Sequence, residues 1–188
     1  KHGSRFFDLY SYNIATKKEK RLTKDSRGYN PVYIEKDSSL AFVATYDGGQ
    51  DLYILDLKTE SIKKITDFSN RPMISQLTYD KSNHSLYFDI TEHHFRNIYR
   101  YDLLKQAVTK EENTDTFDER NFSANAQGLE IFSKDQSGIF NLYMRNTKEK
   151  TSGYITNITG GAFMADISYN GNVLYSIYEN GSYKIALL

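Results

Sequence analysis

Cysteine is absent from the 188 residues, which removes disulfide staples and thiolate metal sites and is compatible with a reducing or an oxidising compartment. Proline is scarce, at two. No apolar run approaches the roughly 18 to 20 residues of a membrane span, so no direct membrane insertion by this segment is expected. Neither sign of charge is in surplus: 24 Lys and Arg balance 24 Asp and Glu, the formal net charge is zero, and no broad field invites nucleic acid or an anionic membrane. Between turn signals, no stretch sustains a 3.6-residue apolar period long enough for a helix. The chain begins at Lys1 without a start Met or a signal peptide, which reads as a processed, trimmed or excised segment.

What the chain has in quantity is aromatic and β-branched side chains. Sixteen Tyr and eleven Phe, with many Ile, Val and Thr, suit a pleated, half-buried surface, so the chain reads as nearly all β. At this length a single domain buries roughly 70% of the surface of its unfolded chain, and one domain is the default.

A repeat organises these strands. The pairs Leu9-Tyr10, Leu52-Tyr53, Ile98-Tyr99, Leu142-Tyr143 and Ile185-Ala186 follow one another at 43, 46, 44 and 43 residues, the period of a four-stranded propeller blade. An aromatic stands eleven residues before each later pair: Phe42, Phe88, Phe132 and Tyr175. A polar residue, Asn13, Asp56, Asp102 or Asn146, follows each tyrosine by three, where a strand should give way to a turn. The next segment ends in an aliphatic residue and Thr: Leu22-Thr23, Ile65-Thr66, Val108-Thr109 and Ile155-Thr156, which lie 13, 13, 10 and 13 residues after the tyrosine. The third of these is irregular and precedes Lys110 to Glu119, a polar and acidic stretch expected to be a surface loop.

Turn signals separate the strands. Asn170-Gly171 is the strongest between first and second strands, predicting a type I′ turn with positive φ at both residues. Asp47-Gly48-Gly49, Ser137-Gly138 and Asn180-Gly181 mark turns between second and third strands. The expected count is 17 strands where four closed blades need sixteen. The expectation is therefore an all-β propeller of four-stranded antiparallel blades, about four of them, forming an open arc of a larger ring, with a closed four-bladed disc as the alternative. It reads as one propeller segment over 1–188: a partial blade 1–24, blades of about 25–67, 68–110 and 111–157, and a partial blade 158–188.

The run Leu52-Tyr53-Ile54-Leu55-Asp56, with Ile65-Thr66, resembles the blade repeat of the Tol-associated (TolB-type) β-propeller family. Ser168-Tyr169-Asn170-Gly171 is similar to the family's serine-proline-aspartate-glycine turn, with Tyr in place of Pro and Asn in place of Asp; Glu35-Lys36-Asp37-Ser38 departs further. The resemblance covers essentially the whole chain, and its motifs encode blade geometry without a catalytic group. Thr159-Gly160-Gly161-Ala162-Phe163, followed by Asp166 to Tyr178, is similar to the final blades of envelope proteins that place a propeller before another module. The resemblance implies a periplasmic or cell-envelope location.

In a propeller the first strand of each blade lines the central channel, where polar residues form the ligand or partner surface. Asn30, Arg71, Arg120, Asn121 and Asp166 are the candidates. His93 and His94, with Glu92, could be imagined as metal ligands, but they fall in a turn and read as solvated loop residues, as does His84. Glu111, Glu112, Asp115, Asp118 and Glu119 lack the spacing of a calcium loop and also read as a solvated loop. The repeated Tyr10, Tyr53, Tyr99 and Tyr143 read as packing between blades rather than a sugar platform. Sequons at Asn83, Asn121, Asn157 and Asn180 would matter only in a eukaryotic secreted protein. The sequence has no G-x-S-x-G, H-E-x-x-H or G-x-x-x-x-G-K-[ST] motif, so no catalytic group, metal or cofactor is expected.

Three functions follow from these readings. The first is a non-catalytic scaffold that offers a rigid face to a protein partner, since recognition usually resides in loops on a stiff frame. The second is part of the gating propeller of a serine peptidase of the prolyl oligopeptidase or tricorn type. The third, a propeller lyase acting on sugars, requires several histidines converging on a metal, and the four histidines here do not recur at equivalent positions.

Overall fold

The computed structural model describes residues 6–111 and 116–188. Seventeen strands and one short 3-10 turn, Glu35–Asp37, account for the regular structure among them. The chain divides into two compact units, Lys1–Leu77 and Thr78–Leu188. In the first, β1 (Tyr10–Asn13) pairs with β2 (Lys18–Arg21), and β3 (Gly28–Ile34), β4 (Ser39–Tyr46), β5 (Gly49–Asp56) and β6 (Ile62–Lys64) form a sheet in chain order. The division falls within β7 (Met73–Asp80), the outer member of a sheet completed by β8 (Ser85–Glu92), β9 (Phe95–Asp102) and β10 (Ala107–Lys110). The second unit continues with β11 (Glu119–Ala124), β12 (Leu129–Lys134), β13 (Asn141–Asn146) and β14 (Thr151–Tyr154) as a third four-stranded sheet. It ends with β15 (Ala162–Ile167), β16 (Val173–Glu179) and β17 (Ser182–Leu187), three strands that form a sheet of their own. The two-stranded and three-stranded sheets are separate, so among the described residues no shared sheet closes a ring.

The register of the central hairpins explains the eleven-residue ruler. Phe42 lies opposite Tyr53, Phe88 opposite Tyr99, Phe132 opposite Tyr143 and Tyr175 opposite Ala186. The rings of the first three pairs are 5.7, 6.0 and 5.5 Å apart. These tyrosines pack across a hairpin within their own sheet, and Tyr53 and Tyr143 also lie against clusters that include Leu9, ahead of β1, and Tyr87 of β8, as packing between blades requires; Tyr10 is 52% exposed. Directly opposite side chains are the nearest neighbours a sheet provides, which is why the spacing is conserved from one sheet to the next.

The polar residue three places after the tyrosine caps the following turn with its side-chain oxygen. Asp56 Oδ1 accepts the N–H groups of Lys58 and Thr59 at 2.8 Å each, and Asp102 Oδ1 those of Leu104 and Lys105 at 3.0 and 2.9 Å. Asn13 and Asn146 act likewise. A second recurring device closes the outer strand. Thr66 Oγ1 accepts the N–H of Leu52 and donates to Asp51, each at 2.9 Å, while Asp51 also accepts the Phe68 N–H at 3.0 Å. Asp8 with Thr23 and Ser26, and Asn141 with Thr156 and Ile158, repeat the clasp.

Three details differ from the sequence expectation. Val108-Thr109 are not equivalent to the other aliphatic-Thr pairs, because the N–H that bonds the carbonyl of Ile98 belongs to Glu111, as Ile65 bonds Leu52 and Ile155 bonds Leu142. The acidic stretch is not uniformly solvated: Glu119 opens β11 and is buried against Lys134 at 3.2 Å, and Glu111 faces Arg100 at 3.1 Å and Arg145 at 3.6 Å. Asp118 accepts the Arg96 N–H at 2.9 Å, whereas Glu112 and Asp115 lie outside the described residues. At Asn170-Gly171 only Gly171 has positive φ, +88°, so the turn is not type I′. Paired positive φ occurs at Asp47-Gly48, His93-His94 and Asn180-Gly181, which close the second-to-third strand hairpins.

Packing between neighbouring sheets supplies the core. In the first unit, Leu9 of the segment before β1 meets Phe42, Ala44 and Leu55. In the second, Tyr87 stacks on Phe122 with ring centroids 3.8 Å apart and planes 8° from parallel, beside Ile98 and Phe132. Ile131 and Leu142 pack against Ala162, Ala165, Ile167, Val173 and Tyr175 of the three-stranded sheet. No helix among the described residues is long and apolar enough to cross a membrane.

Candidate functional site

The first strands of three sheets are bulged at corresponding places. Their pairing shifts between Tyr29 and Val32, between Arg120 and Ser123, and between Phe163 and Asp166. Just inside each shift one residue takes left-handed backbone: Asn30 at φ 48°, Asn121 at 62° and Met164 at 52°. An extra residue on one strand bends it and re-aims the flanking side chains, which is why bulges often border binding sites.

In the second unit this re-aiming opens a cavity of about 600 Å³ lined by Arg96, Arg120, Asn121, Phe140, Phe163, Met164, Ser176 and Tyr183. Arg120 lays its guanidinium 3.6 Å above the centre of the Phe140 ring and 5.6 Å from that of Phe163. The aromatic wall continues with Phe163 5.4 Å from Phe140 and 6.1 Å from Tyr183. Burial, and then Arg96 beside it, pull Arg120 below its ordinary value, opposed by Asp118, Asp135 and Asp89. Among the described residues neither Arg96 nor Arg120 has a carboxylate within ion-pair distance.

Behind the Asn121 bulge sits Asp89, on β8 and 1% exposed. Its Oδ2 accepts the Asn121 N–H at 3.2 Å, while Oδ1 is buried without a hydrogen-bond partner among the described residues. Desolvation raises its pKa to about 7, against the lowering effects of the Asn121 N–H, Arg96 and Arg120. Below about pH 7 Asp89 is mainly neutral, and Asp118 and Asp135 are then the carboxylates that act on Arg120.

The sequence candidates fall in both units, Asn30 and Arg71 in the first and Arg120, Asn121 and Asp166 in the second. Arg120 and Asn121 line the cavity. Asp166 follows the third bulge, is exposed, and accepts a 2.8 Å bond from Ser123 Oγ that ties β15 to β11. Asn30, in the first unit, donates from Nδ2 to the Ser75 carbonyl at 2.6 Å. Arg71 is not on a first strand at all: it precedes Pro72 ahead of β7, and its side chain lies along the Gly48-Gly49 turn. Asp89, Arg96, Phe140 and Phe163 escaped the sequence reading, because nothing in a repeat of hydrophobic spacing marks which residues of separate strands border a cavity or sit behind it.

A second hollow, of about 720 Å³, lies in the first unit among Phe6, Phe7, Arg27, Tyr29 and Thr45. Arg27 sits 4.5 Å over the Phe6 ring, and Tyr29, pushed up to about 12 by burial, donates to the Ile74 carbonyl at 2.9 Å. Among the described residues no three His, Asp or Glu side chains cluster as metal ligands. His93 and His94 occupy the turn tip between β8 and β9, and His84 pairs its Nδ1 with the Tyr79 hydroxyl at 2.9 Å.

No family model matches this sequence, and no curated protein matches it. Solved structures do. TolB from Acinetobacter baumannii superposes with a TM-score of 0.76 at 18% identity, over 96% of this chain and 45% of that one. A puromycin hydrolase gives 0.71 at 14% identity, over 90% of this chain and 28% of that one. An oligogalacturonate lyase in complex with manganese gives 0.70 at 12% identity, over 96% and 53%. The chain thus spans about half, or less, of the length of these structures. At such identities the likenesses show the fold: this chain is built of β-propeller blades and is similar in structure to TolB-like propellers as well as to propeller-bearing enzymes.

Proposed function

We propose that this chain is a non-catalytic binding module of a bacterial cell-envelope protein, and that it receives a protein partner at the cavity of the second unit. The observation that carries the reading is the pair of guanidinium groups, Arg96 and Arg120, set against an aromatic wall, with no carboxylate within ion-pair distance of either among the described residues. Such a surface suits recognition of a group that carries a charge beside an apolar face. The fold likeness to TolB supports the cell-envelope setting. The test is affinity capture from envelope extract with the natural protein and with Arg96→Ala/Arg120→Ala, followed by purification of the captured protein and direct titration. A defined partner whose affinity drops at least about tenfold in the double variant is expected; equal binding by both proteins overturns the placement of the surface.

The second reading is a segment of the gating propeller of a serine peptidase, supported by the match to part of a puromycin hydrolase. Sequencing the gene beyond both ends decides between them. A downstream α/β-hydrolase domain with a G-x-S-x-G elbow establishes the peptidase reading and removes the scaffold one.

A further inference from the structure

We infer that the cavity between Arg96, Arg120 and the Phe140, Phe163 and Tyr183 rings is a recognition site for a peptide carboxylate carried beside an aromatic or large aliphatic side chain. The inference rests on the reading of the chain as a protein-binding module and names the chemical feature that module would recognise. Stacking on Phe140 covers one face of the Arg120 guanidinium and leaves its in-plane N–H groups as the available donors. A planar fork of donors matches the two oxygens of a carboxylate, and Arg96 on the cavity lining doubles the positive field there. Because the Arg120 Nε is buried and has no hydrogen-bond partner among the described residues, an acceptor that reaches it adds a bond without displacing one.

The rest of the lining selects the neighbouring group. Phe163 and Tyr183 offer ring faces and edges at spacings suited to a third aromatic side chain. Tyr183 is 68% and Met164 69% exposed, so a bound apolar side chain would cover surface that now faces solvent. Net charge of the whole chain is zero, so attraction of an anion here is a property of the cavity and not of a general basic surface. Asp89 supplies a linked control. It faces the Asn121 N–H on β11, the side chains of Arg96 on β9 and Arg120 on β11, and Asp118 ahead of β11. Neutral, it leaves both arginines to the ligand; ionised, it competes for them.

The probes are N-acetyl-phenylalanine and N-acetyl-phenylalaninamide, titrated into the natural full chain and followed by NMR shifts of the Phe140, Phe163 and Tyr183 rings. The acid is expected to bind with a dissociation constant on the order of 1 mM, and the amide at least about tenfold more weakly. Arg120→Met, which keeps the apolar stem over Phe140, should remove the preference for the acid; Arg96→Met should weaken it independently, which covers the case that the first variant fails to fold. Acid binding by the natural protein should fall as pH rises through about 7, while Asp89→Asn should bind with little change over the same range. Equal binding of acid and amide, or no binding of either, overturns carboxylate recognition, and so does an Arg120→Met protein that keeps the preference. The partner-binding reading is decided separately, by the capture and titration with the double alanine variant, so a protein can fail this test and still pass that one.

Discussion

At the scale of single residues, two aspartates show how environment sets the charge of one side-chain type. Burial would raise the Asp8 carboxyl, but the Ser26 N–H, the Arg21 guanidinium, the Thr23 hydroxyl and the Asp25 N–H hold it at about 2. Its pKa in the folded chain lies below the unfolded value, so its stabilising contribution is present above about pH 4 and is lost as pH falls through about 2. Asp89 has the opposite sign. Its folded pKa of about 7 exceeds the unfolded value, so its contribution is fully present below about pH 4 and is lost as pH rises through about 7. Asp89→Asn, which keeps the shape and cannot ionise, should therefore unfold at higher denaturant than the natural protein at about pH 8, with the difference shrinking toward about pH 5. Chemical denaturation at both pH values checks this; a natural protein no less stable at the higher pH would show that Asp89 is not the neutral group described above.

Individual strands and turns depend on a few polar clasps and on backbone conformations that side chains resist. Thr66 serves Leu52 and Asp51 at once, so Thr66→Val leaves a buried N–H and a buried carboxylate each short of a bond. A loss of about 1–3 kcal/mol is expected, read as a lower denaturant midpoint with an unchanged slope. The hairpin tips give a prediction of the other sign. Asp47-Gly48 and Asn180-Gly181 place glycine at the second positive-φ position, where the β8–β9 turn has His94 at φ 78° and exposed to solvent. His94→Gly should stabilise by about 1 kcal/mol, since the turn keeps its shape and the Cβ strain is relieved. Thermal unfolding checks it, and an unchanged or lower midpoint would mean that the imidazole makes up for the strain. The repeat was legible at this scale because each ruler had a local cause: the eleven-residue spacing is a cross-strand pair, and the polar residue after the tyrosine is a turn cap. The partner of each clasp threonine, Asp8, Asp51 or Asn141, was not, because it stands about fifteen residues away along the chain and differs in type.

For the whole molecule, balanced charge and many exposed aromatics bear on solution behaviour. With 24 positive and 24 negative side chains, self-repulsion is weakest near neutral pH, and Tyr10, Tyr33, Tyr46, Tyr169 and Tyr183 are among the apolar groups facing solvent. Solubility should pass through a minimum near pH 7 and rise on either side by severalfold, as measured by polyethylene glycol precipitation across pH. A monotonic profile would assign the behaviour to local patches in place of net charge.

The sequence alone determined the class of the fold, the positions of the strands and the order in which they pair, because β-sheet pairing repeats with a two-residue side-chain period and a fixed hairpin register. It also fixed where the turns fall. Which polar residues meet was decided only by tertiary structure: Arg96, Arg120 and Asp89 come from three strands of two sheets, and three bulges swing their neighbours out of the regular alternation. A bulge adds one residue without a compositional mark, and the desolvation that neutralises Asp89 depends on the sheets packed around it, so neither could be read along the chain.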